Sequence, residues 1–226
     1  METMWARSPE EVDANGVSAL MQASSLGNTE LTKLLIQRGT NLELKDKNGC
    51  TALSHAVAQN NFKTAELLIE SGANINILHT RGTSLLMIAI HYGNDELVKL
   101  LIQKGAQLEE RNEYGATALI IAVSKNQFIC AEILLERGAN PNAQEKSGGF
   151  PIITACSSGN YRIVDLLIQK GANLEKRTVM GTTPLMVAVG ANQLSCAELL
   201  LESGANPNAK DETGRSTIEC ATFSGD

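Results

Sequence analysis

Apolar and polar positions along this chain fall into a recurring unit. A short apolar stretch such as Thr51-Ala52-Leu53-Ser54-His55-Ala56-Val57 predicts a first helix, and a polar break such as Gly93-Asn94 stops it. A second, amphipathic run follows, as in Glu96-Leu97-Val98-Lys99-Leu100-Leu101-Ile102-Gln103-Lys104. Gly105 closes it, at the position where a left-handed residue ends a helix. The stretch from Gly138-Ala139-Asn140-Pro141-Asn142-Ala143-Gln144 to Gly148 is rich in Gly, Asn, Pro and charge, which predicts an extended, hairpin-like turn. The predicted unit is helix, turn, helix, loop, and the predicted class is all-α.

The unit repeats at a fixed step. Glycines stand at Gly16, Gly49, Gly82, Gly115, Gly148, Gly181 and Gly214, each 33 residues from the last. A second glycine series (Gly39, Gly72, Gly105, Gly138, Gly171, Gly204) and an alanine series (Ala23, Ala56, Ala89, Ala122, Ala155, Ala188, Ala221) keep the same step. Three registers in phase predict an α-solenoid, a stack in which each unit contacts only its neighbours. A longer period of 66 residues is superimposed. Odd units break with Gly27-Asn28, Gly93-Asn94 and Gly159-Asn160, and even units with Asn60-Asn61, Asn126-Gln127 and Asn192-Gln193. Odd second helices carry Lys33, Arg38, Lys99, Lys104 and Lys170, and even ones Glu66, Glu70, Glu132, Glu136, Glu198 and Glu202, with Asp165 the exception in its row. Opposite charges are therefore expected on adjacent units, setting register more than stability, since exposed pairs contribute only about 0–1 kcal/mol each. The pattern reads as duplication of a two-repeat block.

Composition narrows the function. Of 226 residues 43% are hydrophobic but only 4% aromatic, so the core must be built from Leu, Ile, Val and Ala, which suits thin layers. A net charge of -6 and a pI near 5.2 exclude a general binder of nucleic acid or anionic membrane, although a local basic patch stays open. Apolar runs such as Leu119 to Val123 are far too short to cross a bilayer, and Met1-Glu2-Thr3 opens no signal peptide. Cys50, Cys130, Cys156, Cys196 and Cys220 are odd in number and contain no CxxC pair, which fits a reducing compartment. A soluble cytoplasmic protein is expected.

Thr183-Pro184-Leu185-Met186-Val187-Ala188 and Leu200-Leu201-Glu202-Ser203-Gly204-Ala205-Asn206-Pro207-Asn208 resemble the T-P-L-H-x-A and L-L-x-x-G-A-x-x-N signatures of the ankyrin repeat. The resemblance covers nearly the whole chain. It divides a single domain, 1–226, into six full repeats, 13–45, 46–78, 79–111, 112–144, 145–177 and 178–210. A partial seventh covers 211–226, and the degenerate tail of an earlier unit covers 1–12. The family's usual His is replaced by Met21, Ser54, Met87, Ile120, Ile153, Met186 and Glu219, so its customary hydrogen bond at the hairpin base is expected to be absent throughout, with apolar packing in its place at most positions.

The resemblance implies a module that binds another protein on the concave surface formed by hairpin tips and first helices. Binding residues carried over by position are Asn15, Lys47, Asn48, Cys50, Arg81, Thr83, His91, Tyr92, Glu113, Tyr114, Lys125, Lys146, Met180 and Thr182. Arg81, His91, Tyr92 and Tyr114 fall in adjacent repeats and have the composition of an interface hot spot, the alternative being ordinary solvated residues.

Chemistry of its own is not expected. His55, His79 and His91 are the only histidines and suggest no Ser-His-acid or Cys-His pairing. No ligand set has metal spacing, GxxxxGK[ST] is absent, and no cofactor is called for; Cys130 and Cys196 read as small buried hydrophobes. Asn76, Asn142 and Asn208 lie in contexts resembling those of hydroxylated ankyrin asparagines, but turn-holding hydrogen bonds account for them more simply. A monomer is expected, with end-to-end self-association as the alternative. Met4 and Trp5 give no polar cap, and Gly225-Asp226 falls at a helix turn, so a segment of a larger channel, receptor or pathogen effector is the other reading of function.

Overall fold

The computed structural model describes residues 11–221; Met4, Trp5, Pro9 and Gly225-Asp226 lie outside the described residues. Thirteen α-helices follow one another, with no strand among the described residues. The first six are α1 (Ala19–Ser25), α2 (Thr29–Gln37), α3 (Ala52–Ala58), α4 (Phe62–Glu70), α5 (Leu85–His91) and α6 (Asp95–Gln103). Then come α7 (Ala118–Ser124), α8 (Phe128–Glu136), α9 (Pro151–Ser157), α10 (Tyr161–Gln169), α11 (Pro184–Gly190), α12 (Leu194–Glu202) and α13 (Thr217–Ala221). First helices start where a Ser or Thr hydroxyl caps the third backbone N–H, as Ser18, Thr51, Ser84, Thr117 and Thr183 do. In α9, Phe150 offers no cap and Pro151 opens the helix, where its missing N–H costs nothing.

Contacts gather the helices into two compact units, Met1–Gln107 and Leu108–Asp226. In the first, α1, α3 and α5 pack in series and so do α2, α4 and α6; in the second, α7, α9, α11 and α13 form one series and α8, α10 and α12 the other. Ala23, Ala56, Ala89, Ala122, Ala155 and Ala188 are fully buried, so the alanine register marks places with no room for more than a methyl. Cys130, Cys156 and Cys196 are buried as well, and burial pushes the Cys156 and Cys196 thiols up, away from reactivity.

The 66-residue alternation has a structural cause at two places. At the turn between the two helices the backbone is left-handed, and Gly27, Gly93 and Gly159 alternate there with Asn60, Asn126 and Asn192. Asn tolerates that region better than most side chains. Glycine is required at Gly27 for a second reason. Asn61 Nδ2 reaches back to donate to the Ser24 and Ser25 carbonyls, and a Cβ on Gly27 would lie 2.6 Å from Asn61 Oδ1. Gly159 faces Gln193 in the same way.

The second place is the loop before each hairpin, where one position alternates between Glu and Asn. Glu43, Glu109 and Glu175 accept from the backbone N–H of Asn74, Asn140 and Asn206 in the next repeat, each at 2.8 Å. Asn76 and Asn142 accept from the equivalent N–H groups of Gln107 and Asn173, and their amides also donate to the Gly105 and Gly171 carbonyls. Both side chains are thus committed to holding the loop.

The expected charge pairing between units takes a different form at Lys99, whose ammonium meets Glu96 of its own helix at 3.1 Å, since that acid is one turn away. The missing histidine bond is also replaced more varyingly than expected. Met87, Ile120, Ile153 and Met186 are indeed buried apolar contacts, but Ser54 Oγ accepts from Thr51 N–H and Glu219 Oε2 from Ser216 N–H, each closing a capping box.

Gly105 has φ +94° and nothing within 4 Å of an added Cβ, so Gly105→Val should lose about 1–3 kcal/mol through backbone strain alone. Gly27→Val adds a collision with Asn61 and should lose more, while Gly105→Asn should lose less than either. Urea denaturation of the three variants ranks them, and equal midpoints would contradict this account of the turns.

Candidate binding surface at the hairpin tips

Five of the seven hairpins, those without His79 or Glu145 at the base, are closed there by one residue. Asp13, Asp46, Asn112 and Asp211 use Oδ1, and Thr178 its hydroxyl, to accept two tip N–H groups, two and four residues ahead. The Thr213 hydroxyl foremost, then contacts from Arg215 and the Thr213 amide, hold the Asp211 carboxyl down to about 2. The hairpin glycine is left-handed throughout, from Gly16 to Gly214. Tips within a unit are tied by backbone bonds: Lys47 N–H donates to the Asn15 carbonyl at 3.0 Å, Lys146 to Tyr114 at 2.9 Å and Glu212 to Met180 at 3.2 Å. A Cβ on Gly115 would lie 3.0 Å from the Lys146 nitrogen, so glycine here permits the approach of the next tip.

The third hairpin departs from this pattern. His79 cannot cap the tip, because its ring is buried and its Nε2 shares a 3.2 Å hydrogen bond with Ser54 Oγ, while Nδ1 has no partner. The tip becomes a single 3-10 turn, Thr80–Gly82, in which Arg81 itself is left-handed at φ +66°. A non-glycine residue held there is strained, and such strain collects at functional positions. An imidazole therefore does reach the hairpin base in this repeat, supplied by the hairpin to the serine rather than by the helix.

Beside it, His55 Nε2 meets Asp46 Oδ2 at 3.1 Å. The Ser54–His79 and His55–Asp46 pairs are separate, so hydroxyl, imidazole and carboxylate do not stand in series. Cys50 is no better placed as a nucleophile, because burial and then the Asp46 charge push its thiol up.

Residues 6–79, 73–145 and 138–211 match the family model for ankyrin repeats (3 copies). The chain belongs to the ankyrin-repeat family. Among solved structures, it resembles the ankyrin repeat domain of human ASB11 with a TM-score of 0.78 and 28% identity, over 91% of this chain and 92% of that one. It resembles the ankyrin repeat domain of Bcl-3, described as a unique member of the IkappaB protein family, with a TM-score of 0.84 and 29% identity, over 92% and 95%. Comparison with curated protein sequences gives no match. Ankyrin-repeat domains generally mediate protein–protein interaction and are typically not enzymes.

In the first ankyrin unit, Lys47, Asn48, Arg81, His91 and Tyr92 are exposed and Thr83 is half-buried. The His91 and Tyr92 rings meet edge to face, with centroids 5.2 Å apart, at the end of α5. In the second unit, Glu113, Tyr114, Lys125, Lys146 and Met180 are all exposed. Val179, which the sequence reading passed over, is 67% exposed like its neighbour Met180. Its signal was available, since two adjacent apolar residues are out of place at a turn tip.

Burial pushes the His79 imidazole below its ordinary 6.5, with Lys45 and His55 adding to the shift and the Gly49 backbone and Asp46 opposing it. The unfolded chain then binds the proton more tightly than the folded one. Stability from the neutral ring is complete above about pH 6.5 and is lost as the pH falls below that. His79→Asn, which copies Asn112, should flatten the fall in melting temperature between pH 7.5 and 5.5; an unchanged slope would remove His79 as its source.

Proposed function

We propose that this chain is an adaptor that captures a partner protein on the surface formed by its hairpin tips and first helices, with no chemistry of its own. The observation that supports this most is a contrast within the chain. Buried positions repeat almost unchanged, as the alanine register does, whereas exposed tip positions vary in charge, size and polarity from one repeat to the next. The first tip position carries Lys47, Thr80, Glu113, Lys146 and Val179, and the second Asn48, Arg81, Tyr114, Ser147 and Met180. A rigid frame with variable, exposed side chains is what selective recognition requires. Five free cysteines, three of them buried, favour a reducing compartment such as the cytoplasm.

The test is capture from native extract by the whole chain and by two variants. Tyr92→Ala should weaken retention of the captured protein while shifting stability by no more than about 0.5 kcal/mol, as for other surface changes. Arg81→Gly relieves the left-handed strain, so it should leave stability equal or raised by up to about 1 kcal/mol while also weakening capture. Full retention by both variants would refute the assignment of this surface.

A further inference from the structure

The second-helix face of the second unit departs from the two-repeat alternation at one helix. Even second helices begin with a large apolar residue and carry an acid one turn later: Phe62 and Glu66, Phe128 and Glu132, Leu194 and Glu198. Odd second helices interrupt that pattern with Thr29 and Lys33 in α2 and Asp95 and Lys99 in α6. In α10 the same two positions are Tyr161 and Asp165. Both exceptions lie on one helix, one turn apart, and α10 packs between α8 and α12. They join the neighbouring even helices into one strip, an apolar row of Phe128, Tyr161 and Leu194 beside an acidic row of Glu132, Asp165 and Glu198.

The fold does not need this strip, since α2 and α6 form the same element with other residues at both positions. Tyr161 is 52% and Leu194 69% exposed, and Ile129 adds another 49% exposed side chain at the start of α8. Between the rows lies an open groove of about 310 Å³, lined by Phe128, Leu166 and Leu199, by the acids Glu132 and Asp165, and by Tyr161, Gln169 and the guanidinium of Arg162. Arg162 lies 4.3 Å above the Phe128 ring and Asp165 accepts a hydrogen bond from Gln169, so the groove wall is already ordered. Adjacent exposed apolar residues mark interaction sites, and like charges on successive helices favour a partner of opposite sign.

Spacing selects the form of that partner. Packed helices lie about 8–10 Å apart, and two turns of an α-helix advance about 10.5 Å. Cations seven residues apart on one helix would therefore meet successive acids of the row. We propose that α8, α10 and α12 dock a basic amphipathic helix of a partner protein, its apolar side in the groove between Phe128 and Leu199 and its lysines or arginines on Glu132, Asp165 and Glu198. This surface is distinct from the hairpin tips and its use does not depend on theirs.

The probe is a fluorescein-labelled amphipathic helical peptide of leucine and lysine, titrated with the whole chain and followed by anisotropy, against a leucine–glutamate peptide of the same pattern. Tyr161→Asp combined with Asp165→Lys copies the Asp95 and Lys99 of α6, so it should fold and melt as the unaltered chain does. It should weaken the lysine peptide at least tenfold. Glu70→Lys in the first unit, with the same charge change as Asp165→Lys, should leave affinity within twofold, as should Tyr92→Ala. Equal binding of the two peptides, an equal loss with Glu70→Lys, or a loss with Tyr92→Ala would overturn the proposal. So would dimerisation of the unaltered chain that the double variant abolishes, because the strip would then be an interface between copies.

Discussion

Within each compact unit, every layer depends on burial by its neighbour. The first helices from α1 to α11 are seven residues long and the second helices nine, too short to persist alone, because isolated helices shorter than about 12–15 residues are marginal in water. The dependence shows at equivalent apolar positions. Leu97 and Ile163 have a preceding second helix against them and are 0% and 1% exposed, whereas Leu31, at the same position in α2, is 41% exposed. Local caps and turns choose the shape of each repeat, but stability comes from the faces between repeats.

That constraint divides the residues into two kinds. Positions facing the next layer must match its backbone, so they settle on a few solutions and repeat them. Glu43 and Asn76 are two ways to satisfy the same backbone N–H one repeat onward, and Gly27 and Asn60 are two ways to hold the same left-handed turn. Tip positions bear no such load once the base residue has capped the hairpin, which leaves Lys47, Tyr114 and Met180 free to differ. At His79, which does not cap its hairpin, the tip instead holds Arg81 in a strained, left-handed backbone. The capacity to bind and the demand to stack are thus met by different atoms of the same 33 residues.

The sequence alone determined the repeat, its all-α class, its family and the site of each turn. These follow from chemistry local to a few residues: a Ser or Thr before an apolar run, a Gly or Asn where the backbone must be left-handed, an Asp or Asn at the hairpin base. Of the eleven candidate positions it picked at hairpin tips and first-helix ends, ten are exposed. Only the tertiary structure decided which side chains meet across a repeat. The Glu43–Asn74, Asn76–Gln107 and Ser54–His79 bonds join residues 31, 31 and 25 apart, and no local pattern states that they touch. The direction of the His79 ring, the left-handed Arg81 and the groove between Phe128 and Leu199 were invisible for the same reason. Each is set by packing between layers, where one residue's conformation is decided by another a whole repeat away.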